Sequence, residues 1–238
     1  MTEHTVRAFG EKLEALTTSV AQVGGLAEAQ LADALEAISR RDTAKAEAVI
    51  ASDRRIDQLQ YQIEDQALKL LALRQPMAVD LRETLGAIKI ASELERIGDL
   101  AKNIAKRAIV LNREQPIRLT QSLARMGRQV LAQLKQVLDA YARRDAASAQ
   151  AVWKQDGEID EIYNSLFREL LTYMMEDPRT IGLCTHLLFV AKNIERSGDH
   201  CTNIAEVVYH MVRAGHLSAA RPKADTTSET SVPYETHA

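Results

Sequence analysis

The stretches ELERIGDLAKNIAK (residues 93–106) and NIERSGDHCTNIAE (residues 193–206) are two copies of one phrase. Glu95 and Glu195 lie 100 residues apart, and the Asp, Asn and Ile residues that follow keep the same separation. Self-similarity at a fixed distance along a chain indicates a repeated structural unit. The sequence therefore predicts two copies of a unit of about a hundred residues.

A second pair of segments extends the repeat in the N-terminal direction. SRRDTAKAEAVIASDRRIDQL (residues 39–59) aligns with ARRDAASAQAVWKQDGEIDEI (residues 142–162). Both contain an Arg-Arg-Asp triplet and, later, two Asp residues with three residues between them. The separation falls from 103 residues here to 100 at Glu95, so short deletions lie near the intervening prolines, where loops tolerate them.

The composition favours helices. Aromatic residues make up only 4% of the 238 residues and hydrophobic residues 46%, with abundant Ala, Leu, Glu and Lys. Asp42 and Asp145 are N-cap candidates for the second helix of each repeat. The prolines after RQ and ED, Pro76 and Pro178, end these second helices. Helices are predicted at about 4–40, 42–74, 78–112, 118–142, 145–175 and 179–214.

We therefore predict an all-α fold of two tandem homologous three-helix bundles. The first bundle spans residues 1–115 and the second spans residues 116–215. Residues 216–238 are polar, rich in Ser and Thr, and without periodicity, which predicts a disordered C-terminal tail.

Several features exclude other classes of protein. The net charge of −3 lacks the basic excess of a nucleic-acid binder. Cys184 and Cys201 form no Cys-x-x-Cys pair, which suits a reducing compartment. The N-terminal residues do not have the pattern of a secretory signal, and no run approaches the ~18 apolar residues of a membrane span. The expected location is the cytoplasm.

The repeated acidic residues form stripes on the predicted helices. Glu95, Asp99 and Asn103 recur every four residues along one helix face, and like charges at this spacing are unfavourable unless they are neutralised. Facing helices could bring these acids together with the paired Asp residues of the preceding helix, and such clusters hold metals in helical bundles. All-oxygen ligands suit Fe3+, Mn2+, Mg2+ or Ca2+. The alternative is an ordinary solvated helix surface.

Gly98 and Gly198 recur within the same phrases. Glycine inside a helix costs about 1 kcal/mol relative to alanine. Their repetition indicates close approach of a neighbouring helix, with close approach of a bound ion as the alternative.

Two longer segments resemble the signature regions of the PhoU family. They are LKLLALRQPMAVDLRETLGAIKIASELERIGDLAKNIAKRA (residues 68–108) and LLFVAKNIERSGDHCTNIAEVV (residues 187–208). The resemblance covers both repeats and implies a pair of three-helix bundles in a non-enzymatic regulator. It implies the ATPase of the Pst phosphate transporter and a phosphate sensor histidine kinase as partners, negative regulation of the phosphate-starvation (Pho) regulon, and a homodimer.

The resemblance also implies multinuclear metal clusters at the E/DxxxD motifs, with iron first and Mn, Mg or Zn as other metals. Carried over by position, the ligands are Asp53, Asp57, Glu95, Asp99 and Asn103 in the first repeat, and Asp156, Asp160, Glu195, Asp199 and Asn203 in the second.

Two other functions remain open at this stage. The same bundles could be a scaffold that binds proteins without metal. A carboxylate-bridged di-iron oxidase is the enzymatic alternative, but it requires Glu-x-x-His motifs, which this sequence lacks.

Overall fold

The computed structural model describes residues 2–74, 78–115, 120–217 and 221–230. The helices in these ranges are α1 (Thr2–Ser39), α2 (Thr43–Arg74), α3 (Ala78–Leu111), α4 (Thr120–Arg143), α5 (Ala146–Lys154), α6 (Asp156–Glu176) and α7 (Ile181–Arg213). Short 3-10 turns occur at Pro178–Thr180 and Thr227–Glu229. The predicted all-α fold is confirmed.

The helices form two bundles that share one hydrophobic core. In the first repeat, α1, α2 and α3 pack against one another, and in the second α4, α5 and α6 each pack against α7. The repeats meet where α3 packs along α7 and where α1 packs against α4. Buried side chains from both repeats belong to one continuous cluster. The boundary between residues 115 and 116 stays a prediction, since residues 116–119 lie outside the described ranges.

The Arg-Arg-Asp triplets form the turn after the first helix of each repeat. Arg41 and Arg144 have φ values of 57° and 52°, in the left-handed region. The amides of Asp42 and Asp145 each donate, over 2.9 Å, to the carbonyl oxygen five residues earlier. This is the hydrogen bond of a Schellman motif, which closes the end of a helix. Each Asp side chain then accepts an amide of the next helix, so the triplet ends one helix and begins another.

The helix predicted over residues 145–175 is interrupted, and this part of the prediction is wrong. α5 ends at Lys154 and α6 begins at Asp156, with Gln155 at φ −86° and ψ 0° between them. The carbonyl oxygen of Gln155 accepts the amide of Glu158 over 3.1 Å and the side-chain amide of Gln133, on α4, over 3.3 Å, so it keeps hydrogen-bond partners at the break. Gly157, which lowers helix propensity, stands where the first repeat has Arg54.

The repeated glycines face a repeated isoleucine. A Cβ atom added at Gly98 would lie 3.0 Å from Cδ1 of Ile56, and one added at Gly198 would lie 3.0 Å from Cδ1 of Ile159. Both isoleucines are almost fully buried. Close helix packing is therefore the reason for these glycines, and the equal distances show that the two repeats pack in the same way.

Candidate functional site: two acidic clusters

The predicted ligands lie in two equivalent places, one in each repeat. We call Asp53, Asp57, Glu95, Asp99 and Asn103 the first acidic cluster, on α2 and α3, and Asp156, Asp160, Glu195, Asp199 and Asn203 the second acidic cluster, on α6 and α7. The buried members are Asp53, Asp156, Asp160 and Glu195. An ordinary solvated surface does not describe these positions, because carboxylates are rarely buried without a partner.

In the first acidic cluster the partner is Lys102. Its ammonium group donates to Asp53 and, over 2.8 Å, to Asp99. These hydrogen bonds raise the pKa of Lys102 above its usual range. The other oxygen of Asp53 accepts from the buried amide of Gln30 at 3.4 Å. A lysine of α3 therefore joins the carboxylates of α2 and α3.

The remaining acids of the first acidic cluster lie beside this ion pair. Burial, followed by the charge of Asp53, raises the pKa of Asp57. Burial and the charge of Asp99 likewise raise the pKa of Glu95. Asn103 is exposed. Negative charge at this cluster is thus only partly compensated by Lys102.

In the second acidic cluster the partner is Arg221, from the C-terminal segment. Its Nε and Nη2 atoms donate to the two carboxylate oxygens of Asp156, both over 2.8 Å. Nη2 also donates to Asp199 at 2.5 Å, and Nη1 donates to the side-chain oxygen of Asn203 at 3.1 Å. Such forked contacts are the strongest geometry for a guanidinium with carboxylates. The hydroxyl of Thr202 donates to Asp156 as well, over 2.8 Å.

The segment beyond Arg221 continues along the same surface. The side chain of Asp160 accepts the amides of Ala224 and Asp225, over 2.8 and 3.2 Å. Asn164 donates to the carbonyl oxygen of Ala224 at 2.6 Å and accepts the amide of Thr226 at 3.1 Å. Residues 221–230 thus differ from the disorder that their composition predicts, while residues 218–220 and 231–238 lie outside the described ranges.

Glu195 is the least satisfied member of the second acidic cluster. Its Oε1 atom accepts from Lys192 over 3.0 Å, and the same ammonium donates to Asp225 at 2.8 Å. Its Oε2 atom is buried and has no hydrogen-bond partner among the described residues. Burial, opposed by Lys192 and reinforced by the charge of Asp199, raises the pKa of Glu195 to about 7.

A comparison of the repeats shows why the second cluster receives its cation from outside. At an offset of 100 residues, Lys102 of the first repeat corresponds to Thr202 of the second. The second repeat therefore lacks its own cation at this position, and Arg221 supplies one. Sequence reasoning overlooked both basic residues, although the Lys-to-Thr difference was a signal that could have been followed.

Neither cluster, as it stands, fits a resident metal ion. No group of three or more His, Cys, Asp and Glu side chains in the described part of the chain could hold one. The oxygens suit a hard cation, and the unpartnered Oε2 of Glu195 leaves one oxygen free. However, Lys102 and Arg221 lie between the carboxylates that would have to converge on the metal.

Asn203 has a further role that the sequence did not indicate. Its amide nitrogen donates to Glu93 of α3 at 3.0 Å, and Nδ1 of His200 lies 2.6 Å from the same carboxylate oxygen. Burial opposes ionisation, but these hydrogen bonds dominate and lower the pKa of Glu93. The second acidic cluster is thereby tied to the first repeat.

This protein is thus an all-helical tandem repeat with a cation-bridged acidic cluster in each copy. In the described ranges, no helix combines the length and the apolar character needed to span a bilayer. The family model of the PhoU domain matches residues 20–108 and 123–208. The chain belongs to the PhoU family.

Individual relatives match over nearly their whole length. The chain is 56% identical, over 96% of its length and 100% of the relative, to a phosphate-specific transport system accessory protein PhoU homolog of Caulobacter vibrioides. A crystal structure of PhoU from Pseudomonas aeruginosa superposes with a TM-score of 0.85, at 38% identity, covering 87% of this chain and 100% of that one. A crystal structure of the phosphate transport system regulatory protein PhoU from Streptococcus pneumoniae superposes with a TM-score of 0.83, at 30% identity. It covers 89% of this chain and 100% of that one. A role in regulating phosphate transport follows.

Proposed function

We propose that this protein is a non-enzymatic cytoplasmic regulator that couples the ATPase of the Pst phosphate transporter to a phosphate sensor histidine kinase. In this role it keeps the phosphate-starvation (Pho) regulon and phosphate uptake low when phosphate is plentiful, and it acts as a homodimer. The observation that carries the proposal is the 56% identity over the whole of a relative named as an accessory protein of phosphate transport.

The chemistry of the clusters supports a regulator in preference to an oxidase. The carboxylates that a di-iron centre would need are paired with Lys102 and Arg221. The Glu-x-x-His motifs of such centres are absent from the sequence. The same ion pairs favour a second candidate function, a scaffold that holds protein partners without any metal.

Multinuclear metal clusters, with iron first and Mn, Mg or Zn as other metals, stay part of the proposal. They require Lys102 and Arg221 to leave the carboxylates they now contact. The predicted ligands would then be the acids of the first and second acidic clusters with Asn103 and Asn203. A bound cation would supply the positive charge that the two basic side chains provide in their absence.

Deletion of the gene in its own host tests the regulatory role. With ample phosphate, a starvation-responsive reporter is expected to switch on, or phosphate uptake to become deregulated, and a plasmid copy of the gene should restore repression. Unchanged reporter output and uptake across a range of phosphate concentrations would refute the proposal. Cross-linking and affinity capture from cells in high and low phosphate should recover the transporter ATPase and the kinase.

A further inference from the structure

We propose that the surface between α6 and α7 is a binding groove for an extended basic peptide, and that residues 221–226 of this chain fill it. This segment and a divalent cation exclude each other at the second acidic cluster. The exclusion rests on the proposed metal site, whereas the peptide groove rests on the contacts of residues 221–226 with Asp156, Asp160 and Asn164.

The anchor of the segment is the side chain of Arg221. The side chain of Arg221 is only 19% exposed and that of Asp156 only 4%, so the forked ion pair is largely shielded from water. A third contact joins Arg221 to Asp199 on the opposite helix. The guanidinium thus links α6 to α7, and its fixed geometry selects arginine over lysine at this position.

Beyond the anchor, the groove recognises the peptide backbone. Asn164, which is 8% exposed, both donates to a carbonyl oxygen and accepts an amide of the segment. Asp160 accepts two further amides. Backbone contacts of this kind hold an extended chain whatever its side chains are, so the sequence preference comes from Arg221 and from Asp225, whose carboxylate accepts from Lys192 at 2.8 Å.

The shape of the groove is particular to the second repeat. A Cβ atom added at Gly157 would lie 3.4 Å from the carbonyl oxygen of Pro222, so the peptide backbone passes directly over this glycine. The first repeat has Arg54 at the equivalent position, and it has the exposed Tyr61 where the second has Asn164. The first repeat therefore lacks both the space and the backbone partner.

The segment excludes a divalent cation because it occupies carboxylate oxygens of the second acidic cluster. Both oxygens of Asp156 and one each of Asp160 and Asp199 accept hydrogen bonds from it. A hard cation requires carboxylate oxygens free of such donors, so it binds only when the segment is released. If the groove is filled nine-tenths of the time, the apparent affinity for the cation is lowered about tenfold.

Hydrogen exchange of the full-length chain, followed by NMR in EDTA, tests the groove. The amides of Ala224, Asp225 and Thr226 are expected to exchange at least about tenfold more slowly than in an unstructured peptide, because each donates to a groove side chain. Arg221→Ala and Gly157→Arg should each remove this protection, the first through charge and the second through bulk. Free exchange of these amides in the wild type would overturn the groove.

Matched variants control for changes made elsewhere. Lys135→Ala removes an exposed basic residue of α4, and Gly182→Arg places the same bulk at a glycine with no neighbour within 4 Å of its Cβ position. Both should keep the protection. Loss of protection in these controls would show that the protection does not depend on the groove. This result would also overturn the groove.

Titration with Mn2+ tests the exclusion. Paramagnetic broadening of the Thr202 amide reports Mn2+ at the second acidic cluster, and broadening of the Lys102 amide reports it at the first. Mn2+ should release the segment in the wild type, and Arg221→Ala should bind at the second cluster about tenfold more tightly. Protection that persists while Thr202 is broadened would overturn the exclusion. The absence of broadening at Thr202 in both proteins would overturn it too, but would leave the groove and the regulatory role standing.

Discussion

Lys102 and Arg221 make the same contact in the two repeats, although one lies in a helix and the other in the C-terminal segment. Each donates to two Asp residues on neighbouring helices of its repeat, and the four acceptors are Asp53, Asp99, Asp156 and Asp199. In the first repeat the cation is integral to α3. In the second it belongs to a segment that can leave without unfolding a helix. The equivalent acids therefore have cations that differ in how easily they are removed.

Replacing Lys102 by Met is expected to lower the free energy of unfolding by about 1–2 kcal/mol, because it leaves a buried carboxylate without its cation. The partial exposure of Lys102 and Asp99, 24% and 36%, keeps the loss below that of a fully buried pair. Urea denaturation of Lys102→Met, with Lys106→Met on the exposed side of α3 as the control, measures it. Adding Asp53→Asn should recover part of the loss, and equal effects in both lysine variants would contradict the pairing.

Gly98→Ala is expected to destabilise the protein by about 1 kcal/mol, since the clash with Ile56 exceeds the gain in helix propensity. In an Ile56→Val background, which lacks Cδ1, the same change should become neutral or stabilising. Gly25→Ala, at an exposed site with nothing within 4 Å of its Cβ position, should stabilise by up to about 1 kcal/mol. Thermal melts of the four variants decide it, and stabilisation by Gly98→Ala alone would show that Ile56 moves aside.

Much of the fold could be predicted because the repeat fixes the correspondence of local signals. The Arg-Arg-Asp triplets predicted where helices begin, and the paired glycines predicted close packing, which Ile56 and Ile159 now explain. The break at Gln155 escaped prediction because the side chain that supports it, Gln133, lies on another helix. A hydrogen bond between distant residues leaves no local pattern in a sequence.

The candidate site was predictable in its acids and not in its cations. Periodicity placed Asp53 and Asp99 on facing helices, since the spacing of acids along a helix indicates which face of the helix they occupy. Arg221 lies in a segment whose composition is that of a disordered tail, so nothing local points to its partners. The buried carboxylates of the cluster, which need positive charge, explain the position of Arg221.

Glu93→Gln is expected to lower stability by about 1–2 kcal/mol at neutral pH, because a charged acceptor between the repeats is lost. The lowered pKa of Glu93 means that its contribution is present above its unfolded-state value of 4.5 and is lost as pH falls through the folded-state value. The gap between wild type and variant should therefore close below about pH 4.5. Denaturation from pH 3 to 8, with Glu161→Gln on the exposed surface of α6 as control, tests this. A gap that widens as the pH falls below about 4.5 would contradict the sign.

The double variant Asp99→Asn/Asp199→Asn separates two accounts of the acidic clusters. If the acids mainly repel one another, losing one charge per cluster raises the melting temperature in EDTA. The structure predicts the opposite, a loss of about 1–2 kcal/mol, because each of these Asp residues accepts from a cation, Lys102 or Arg221. Asp65→Asn, which removes an exposed pair with Lys69, is the control and should change stability by less than about 0.5 kcal/mol.

The same proteins test the proposed metal sites. A cation that binds only the folded state stabilises it by roughly 3 kcal/mol at a hundredfold excess over its dissociation constant. Melting curves of the wild type with Fe3+, Mn2+ or Mg2+ should therefore shift upward relative to EDTA, and the double variant should gain less because each cluster has lost a charged ligand. Since Lys102 and Arg221 must first leave their carboxylates, the shift should begin at lower metal concentration in Arg221→Ala than in the wild type. If neither the wild type nor Arg221→Ala melts differently with any of these metals than with EDTA, the metal sites are refuted. The only cations at the wild-type clusters would then be the side chains of Lys102 and Arg221.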